Sequence, residues 1–102
     1  MRIRSSAVVT AIILFTISRG RVNEVAERLA ALPGVSEVYS VAGRYDLAAI
    51  VRVARNEDLA DLVTQHMVGM DGIDATETLI SFRAFSRKDV ESGFALGGEA
   101  GR

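Results

Sequence analysis

An α+β sandwich with the element order β-α-β-β-α-β is predicted by three features of the sequence. Two long apolar runs, residues 8–17 and 47–53, are rich in β-branched side chains and read as strands buried on both faces. Each is followed by an amphipathic stretch at helical spacing. A weak internal repeat, shifted by 38 positions, lays one half on the other. It places Leu32-Pro33-Gly34-Val35 on Met70-Asp71-Gly72-Ile73, Ala11-Ile12-Ile13 on Ala49-Ile50-Val51, Val25 on Val63, and Leu29 on Met67. Two βαβ units in tandem with right-handed crossovers give the ferredoxin-like sandwich. Its antiparallel sheet has strand order 4-1-3-2, with both helices on one face.

The elements follow in order. Met1-Arg2-Ile3-Arg4 and the apolar run after it have the outline of a secretion signal. That run is too short to span a bilayer. It leads into Ser18-Arg19-Gly20-Arg21, which has no small-x-small cleavage pattern, so residues 8–17 are read as the first strand. Val22, Val25, Ala26, Leu29 and Leu32 line one side of a first helix that Pro33-Gly34 ends. Residues 35–42 alternate apolar and polar and read as an edge strand. Gly43 and Arg44 make a turn into the third strand, Leu47–Val53.

Asn56 is a suitable helix N-cap, and Glu57 and Asp58 suit the positive end of a second helix. Leu59, Leu62, Val63, Met67 and Met70 give that helix its apolar stripe, and Asp71-Gly72 ends it. A long last strand is expected over residues 73–85. Ser86 with Asp89 resembles a capping box for a short helix from residue 87 to about 94. The domain expected is therefore residues 1–86, with residues 87–102 forming a short C-terminal helix and a flexible tail.

In this strand order the two most apolar strands are central, and helices cover one sheet face. Apolar residues on the opposite face require a second cover. A second copy of the chain is the expected one, giving a face-to-face homodimer with little stable monomer.

Composition narrows the function. The 102 residues carry a net charge of −1, without the basic excess a stand-alone nucleic-acid binder usually shows. There is no cysteine and one histidine, which removes thiolate chemistry and histidine-rich metal sites within one chain. No cofactor, no membrane contact and a cytoplasmic location are expected. His66, seven residues after Leu59, reads as a buried or boundary structural side chain. No serine has a plausible histidine base. Arg19 and Arg21 beside Gly20 can hold an anion with help from helix amides, but read more simply as an exposed basic loop. Catalysis has no support beyond generic acids.

Binding has more support, at Gly43-Arg44-Tyr45-Asp46. Glycine permits a positive φ or close ligand approach, and Tyr45 offers an amphipathic wall. Asp46 can pair with an ammonium group while nearby amides take a carboxylate, as an amino acid requires. Taken alone, however, the four residues fit a plain hairpin turn better, with Asp46 paired to Arg44 or Arg52.

Leu32-Pro33-Gly34-Val35, Val41-Ala42-Gly43-Arg44-Tyr45-Asp46, and Gly72-Ile73 with Thr76-x-Thr78 and Leu79 together resemble the effector (RAM) domain of the Lrp/AsnC regulators. The resemblance spans about residues 8–85. It implies the same βαββαβ fold, dimers joined sheet to sheet, and rings of eight or ten chains. It also implies an amino-acid effector bound between dimers, with Gly43, Arg44, Tyr45, Asp46, Thr76 and Thr78 at the pocket. Full-length members carry an N-terminal helix-turn-helix. Only residues 1–7 precede the first strand here, so a stand-alone effector domain is expected, without specific DNA binding of its own. Regulation would then run through mixed assembly with full-length Lrp/AsnC relatives or through another partner. Two rivals share the topology: a dimeric α+β barrel enzyme of monooxygenase or isomerase type, and a structural subunit that co-assembles without ligand. The enzyme needs a polar side chain between sheet and helices, where the predicted side chains are aliphatic. An amino-acid-binding ACT domain is a further fold relative, and the Gly-Arg-Tyr-Asp corner argues for the Lrp/AsnC reading.

Overall fold

The structure, a computed structural model, describes residues 8–85. The elements are β1 (Val9–Ile17), α1 (Val22–Ala30), β2 (Val35–Ser40), β3 (Leu47–Val53), α2 (Asn56–Asp61) continued by a π-helical segment (Leu62–Met67), and β4 (Ile73–Ile80). The sheet order is β2-β3-β1-β4, all antiparallel, which is the predicted order read from the other edge.

Alternation in the central strands sets the core. Ala11, Ile13, Phe15 and Ile17 of β1 and Leu47, Ala49 and Val51 of β3 are buried against Val25 and Leu29 of α1 and Leu59, Leu62 and Met67 of the second helical stretch. Ile13 pairs with Ala49 and Phe15 with Leu47, so the buried residues of the two strands share a face. A slip of one residue would turn this whole set outward. The opposite face carries Ile12, Leu14 and Ile50, with Tyr39 of β2 and Leu79 of β4 beside them. There Ile12 is 37% exposed, Leu79 44% and Tyr39 50%.

The internal repeat is visible in the backbone. Gly34 and Gly72 have φ of 93° and 99°. Each follows a helix and precedes an edge strand. The amide after each glycine closes the same turn, Val35 N–H to Leu32 O and Ile73 N–H to Met70 O, both at 3.2 Å. Each glycine carbonyl then accepts an amide from the central-strand side, Arg52 N–H for Gly34 and Ser18 N–H for Gly72, both at 2.8 Å. A Cβ on Gly34 would stand 2.9 Å from Val53 Cγ1, and one on Gly72 would stand 2.8 Å from Val25 Cγ2. Helix, glycine and strand are packed too closely for a side chain at either place.

Several element ends differ from expectation, each for a local reason. The end of α1 tightens into i→i−3 bonds at Ala31 and Leu32 before Pro33, so the α-helix stops at Ala30. β2 stops at Ser40, and the chain turns back after it with Val41 N–H bonded to Asp46 O. The turn is therefore a loop over residues 41–46. β4 stops at Ile80, opposite Ala11, and Ser81 N–H bonds Thr10 O just beyond it. Phe82 and Phe85 then stand 99% and 77% exposed.

Arg55 occupies the N-cap position of α2, and Asn56 is its first helical residue. After Asp61 the helix widens, with Val68 N–H bonding Val63 O in an i→i+5 pattern. The wider turn carries Met67 into the core five residues after Leu62, and it leaves His66 exposed rather than buried. The expected helix over residues 87–94 and the tail beyond it lie outside the described residues.

Gly34→Ala and Gly72→Ala are each expected to destabilise the fold by about 1–3 kcal/mol, from backbone strain alone, with the Cβ contact adding to it. Gly69→Ala, which meets nothing within 4 Å, should be close to neutral. Urea unfolding followed by circular dichroism reads the difference.

Candidate functional site

The loop over residues 41–46 is anchored to β1 from two sides. Asp46 N–H donates to Phe15 O at 2.8 Å, and the Asp46 carboxylate accepts the Ile17 amide at 2.7 Å. Val41 N–H closes the loop onto Asp46 O at 3.1 Å. Asp46 thus extends the β3–β1 ladder by one residue with its main chain and one with its side chain. The sequence alternatives for it, a pair with Arg44 or Arg52, are not formed.

Tyr45 is half-buried, and its hydroxyl donates to the Glu77 carboxylate. β1 lies between β3 and β4, so the phenol bridges from the loop to the far edge strand. The Arg44 guanidinium stands over the Tyr45 ring, 5.8 Å from its centroid, within cation–π range. A cation, an aromatic ring and a carboxylate therefore form a row across one end of the sheet. Glu77 pairs in register with Leu14, on the face away from the helices. The hydrogen bond to Glu77 holds the Tyr45 phenol above the ordinary tyrosine range, lost hydration adds to this, and Arg44 opposes it.

Thr76 and Thr78 lie elsewhere. They pair with Phe15 and Ile13, which places them on the helix-facing side of β4. Thr78 lines an apolar groove with Leu59, Val63 and Ile80. One chain brings Gly43, Arg44, Tyr45 and Asp46 together and leaves the two threonines on the other sheet face. Glu77, between them in sequence, reaches the loop instead. Its signal was strand alternation: in Thr76-Glu77-Thr78 the middle residue must face opposite to its neighbours.

The remaining polar clusters are tied down or open. Arg21 pairs with Glu24 at 2.6 Å and with Asp71 at 3.1 Å. It joins the start of α1 to the turn before β4, so it is not the free anion-binding group weighed above. At the other end of β3, a cleft is lined by Gly34, Arg52, Asp58, Asp61, Leu62 and His66. Among the described residues no set of three His, Asp or Glu side chains can hold a metal ion. Among the described residues no polar or charged side chain is buried. No helix of the described residues is long and apolar enough to cross a membrane.

Two measurements check this geometry. Asp46→Ala leaves the Ile17 amide without its acceptor and should destabilise the fold by about 1–2 kcal/mol, while Asp46→Asn, which keeps an acceptor, should recover most of that. For Tyr45, the bond to Glu77 favours the neutral phenol. Its contribution is complete below the unfolded tyrosine pKa of about 10 and is lost as pH rises through the higher folded value. Tyr39 is also held up, by Glu37, so the titration belongs in a Tyr39→Phe background. Absorbance near the phenolate band should show Tyr45 ionising late, and Glu77→Gln should bring it down.

Residues 10–90 match the profile of the family described as the Lrp/AsnC ligand binding domain. An uncharacterised HTH-type transcriptional regulator of Pyrococcus furiosus, PF0250, is 41% identical over 59 residues, 58% of this chain and 39% of that protein. The chain thus spans about two fifths of that regulator's length. The crystal structure of TTHA0845 from Thermus thermophilus superposes with a TM-score of 0.73 at 47% identity, covering 78% of this chain and 99% of that one. The transcriptional regulator NMB0573 of Neisseria meningitidis, solved as a complex with L-Met, shares the fold, with a TM-score of 0.71 at 14% identity over 78% of this chain and 53% of that one. The strand order, the positive-φ glycines that end each helical stretch, and the Gly-Arg-Tyr-Asp loop anchored to β1 agree with the sequence match, and the chain belongs to the Lrp/AsnC ligand binding domain family.

Proposed function

We propose that this chain is a cytoplasmic amino-acid sensor that contributes to transcriptional regulation and carries no catalytic activity. The supporting observation is the loop over residues 41–46. It offers a cation, an aromatic ring and carboxylates on a rigid anchor to β1, in a chain whose family is defined by ligand binding. Main-chain groups around Gly43, with Arg44, Tyr45 and Asp46, form one wall of the pocket. The Thr76 and Thr78 side chains lie on the other sheet face, so their place is in the wall supplied by a neighbouring copy. The apolar open face of the sheet supports sheet-to-sheet dimers, and the dimers assemble into rings of eight or ten. The readout on DNA runs through full-length Lrp/AsnC regulators in mixed assemblies, because the chain's net charge of −1 offers no electrostatic footprint for DNA.

The test is a thermal-shift series with L-methionine first and the other proteinogenic amino acids after it. A ligand present at 100 times its dissociation constant should stabilise the fold by about 2.7 kcal/mol. At least one amino acid is expected to raise the melting temperature. If none does, the co-assembling subunit without ligand becomes the better reading. In a gel shift the chain by itself should form no specific DNA complex at physiological salt.

A further inference from the structure

We propose that Arg52 and Glu37 form the ion pair that decides how a second copy, or a related sheet, docks on the open face, Arg52 of each copy meeting Glu37 of the partner subunit. This deepens the sheet-to-sheet contact of the proposed function and rests on it. Val51 is buried on the helix side, so alternation turns its neighbour Arg52 to the open face. There Arg52 is in register with Thr10, and Glu37 on the next strand is in register with Ile50. Both side chains are exposed. Tyr39, on the same face, feels both: Glu37 raises its pKa and Arg52 opposes the rise.

A charge on a face that becomes covered must be paired there, or it carries the cost of its lost hydration. Neither Arg52 nor Glu37 is in an ion pair with another described residue. The other carboxylate in register on this face, Glu77 beside Leu14, already accepts the Tyr45 hydroxyl. Arg52 and Glu37 stand on adjacent strands, one step apart along them. A two-fold axis between the sheets, crossing the Ile12–Ile50 pair, exchanges their places, so the contact is made twice. Face-to-face sheets lie about 10 Å apart, a gap that an arginine and a glutamate span end to end. The apolar side chains supply area without direction, and the two charges supply the direction. A relative is then admitted to a mixed assembly only if it sets a carboxylate opposite Arg52 and a cation opposite Glu37. Arg83, which lines a groove with Ile12 and Leu79 beyond β4, is the rival cation for Glu37.

The experiment is charge exchange in the full chain, read as light-scattering mass over a dilution series. Glu37→Arg and Arg52→Glu each set like charges opposite one another twice, and each is expected to raise the dissociation constant at least about tenfold. Mixed in equal amounts, the two variants should regain the parent's assembly, as should both exchanges in one chain, because opposite charges then meet at every contact. These two arms decide the matter even if a single variant unfolds as it dissociates. Glu27→Arg and Arg19→Glu make the same changes of charge at exposed positions outside the sheet and should behave like the parent. Parental assembly in both Glu37→Arg and Arg52→Glu would overturn the pair and leave the dimer standing. Dissociation that neither the mixture nor the double exchange reverses would overturn it too. So would rescue of Glu37→Arg by Arg83→Glu in place of Arg52→Glu, or an equal loss in the two controls, which would make the effect one of net charge. A parent of 11.0 kDa at micromolar concentration would remove the dimer and the pair together.

Discussion

Two central strands with apolar side chains on both faces, and helices over only one of them, constrain everything else in this chain. Ala11, Ile13 and Phe15 of β1 and Leu47, Ala49 and Val51 of β3 build the core against the helices. Ile12, Leu14 and Ile50 alternate with them on the other side and keep part of their surface. Burying a side chain of this size contributes roughly 1.5–3 kcal/mol. A small domain has only about 5–15 kcal/mol of net stability. Several such side chains left open on one face are therefore large on the scale of the whole fold, and a second copy of the sheet is the cover proposed here.

The duplicated architecture places the site at one end of that sheet. Each βαβ half ends its helical stretch on a positive-φ glycine, Gly34 or Gly72, wedged against Val53 or Val25. The link between the halves is the loop over residues 41–46. It is tied by Asp46 to Phe15 and Ile17 of β1 and by Tyr45 to Glu77 of β4. The loop therefore touches both of the strands that follow β3 across the sheet.

Fold and strand order were legible because the two periods, 2 and 3.6, are clean in β1, β3 and α1, and because the 38-residue repeat brings Gly34 onto Gly72. What escaped depended on contacts between distant residues or on rare backbone. Met67 is buried as its place in the apolar stripe requires, whereas His66, one residue before it on the π-helical turn, faces outward. β4 looked longer than it is, since Ser81 to Phe85 remain apolar in part; its pairing with β1 ends at Ala11. At the loop, a glycine, a cation, an aromatic and a carboxylate beside a core strand are legible in the sequence, and the family resemblance supplies the role proposed for them. The partner of Asp46 was hidden because Ile17 is 29 positions away, and that of Tyr45 because Glu77 is 32 away. Thr76 and Thr78 drew the eye as a pair, while strand alternation had already set Glu77 on the opposite face.

The most direct test of the central constraint is the mass of the chain in solution. Size-exclusion chromatography with light scattering at micromolar concentration should give at least twice the 11.0 kDa of one chain, and charged substitutions at Ile12 and Ile50 should reduce the assembly. A stable, folded 11.0 kDa species under the same conditions would contradict the account, because the open face of the sheet would then stand in water without a cover.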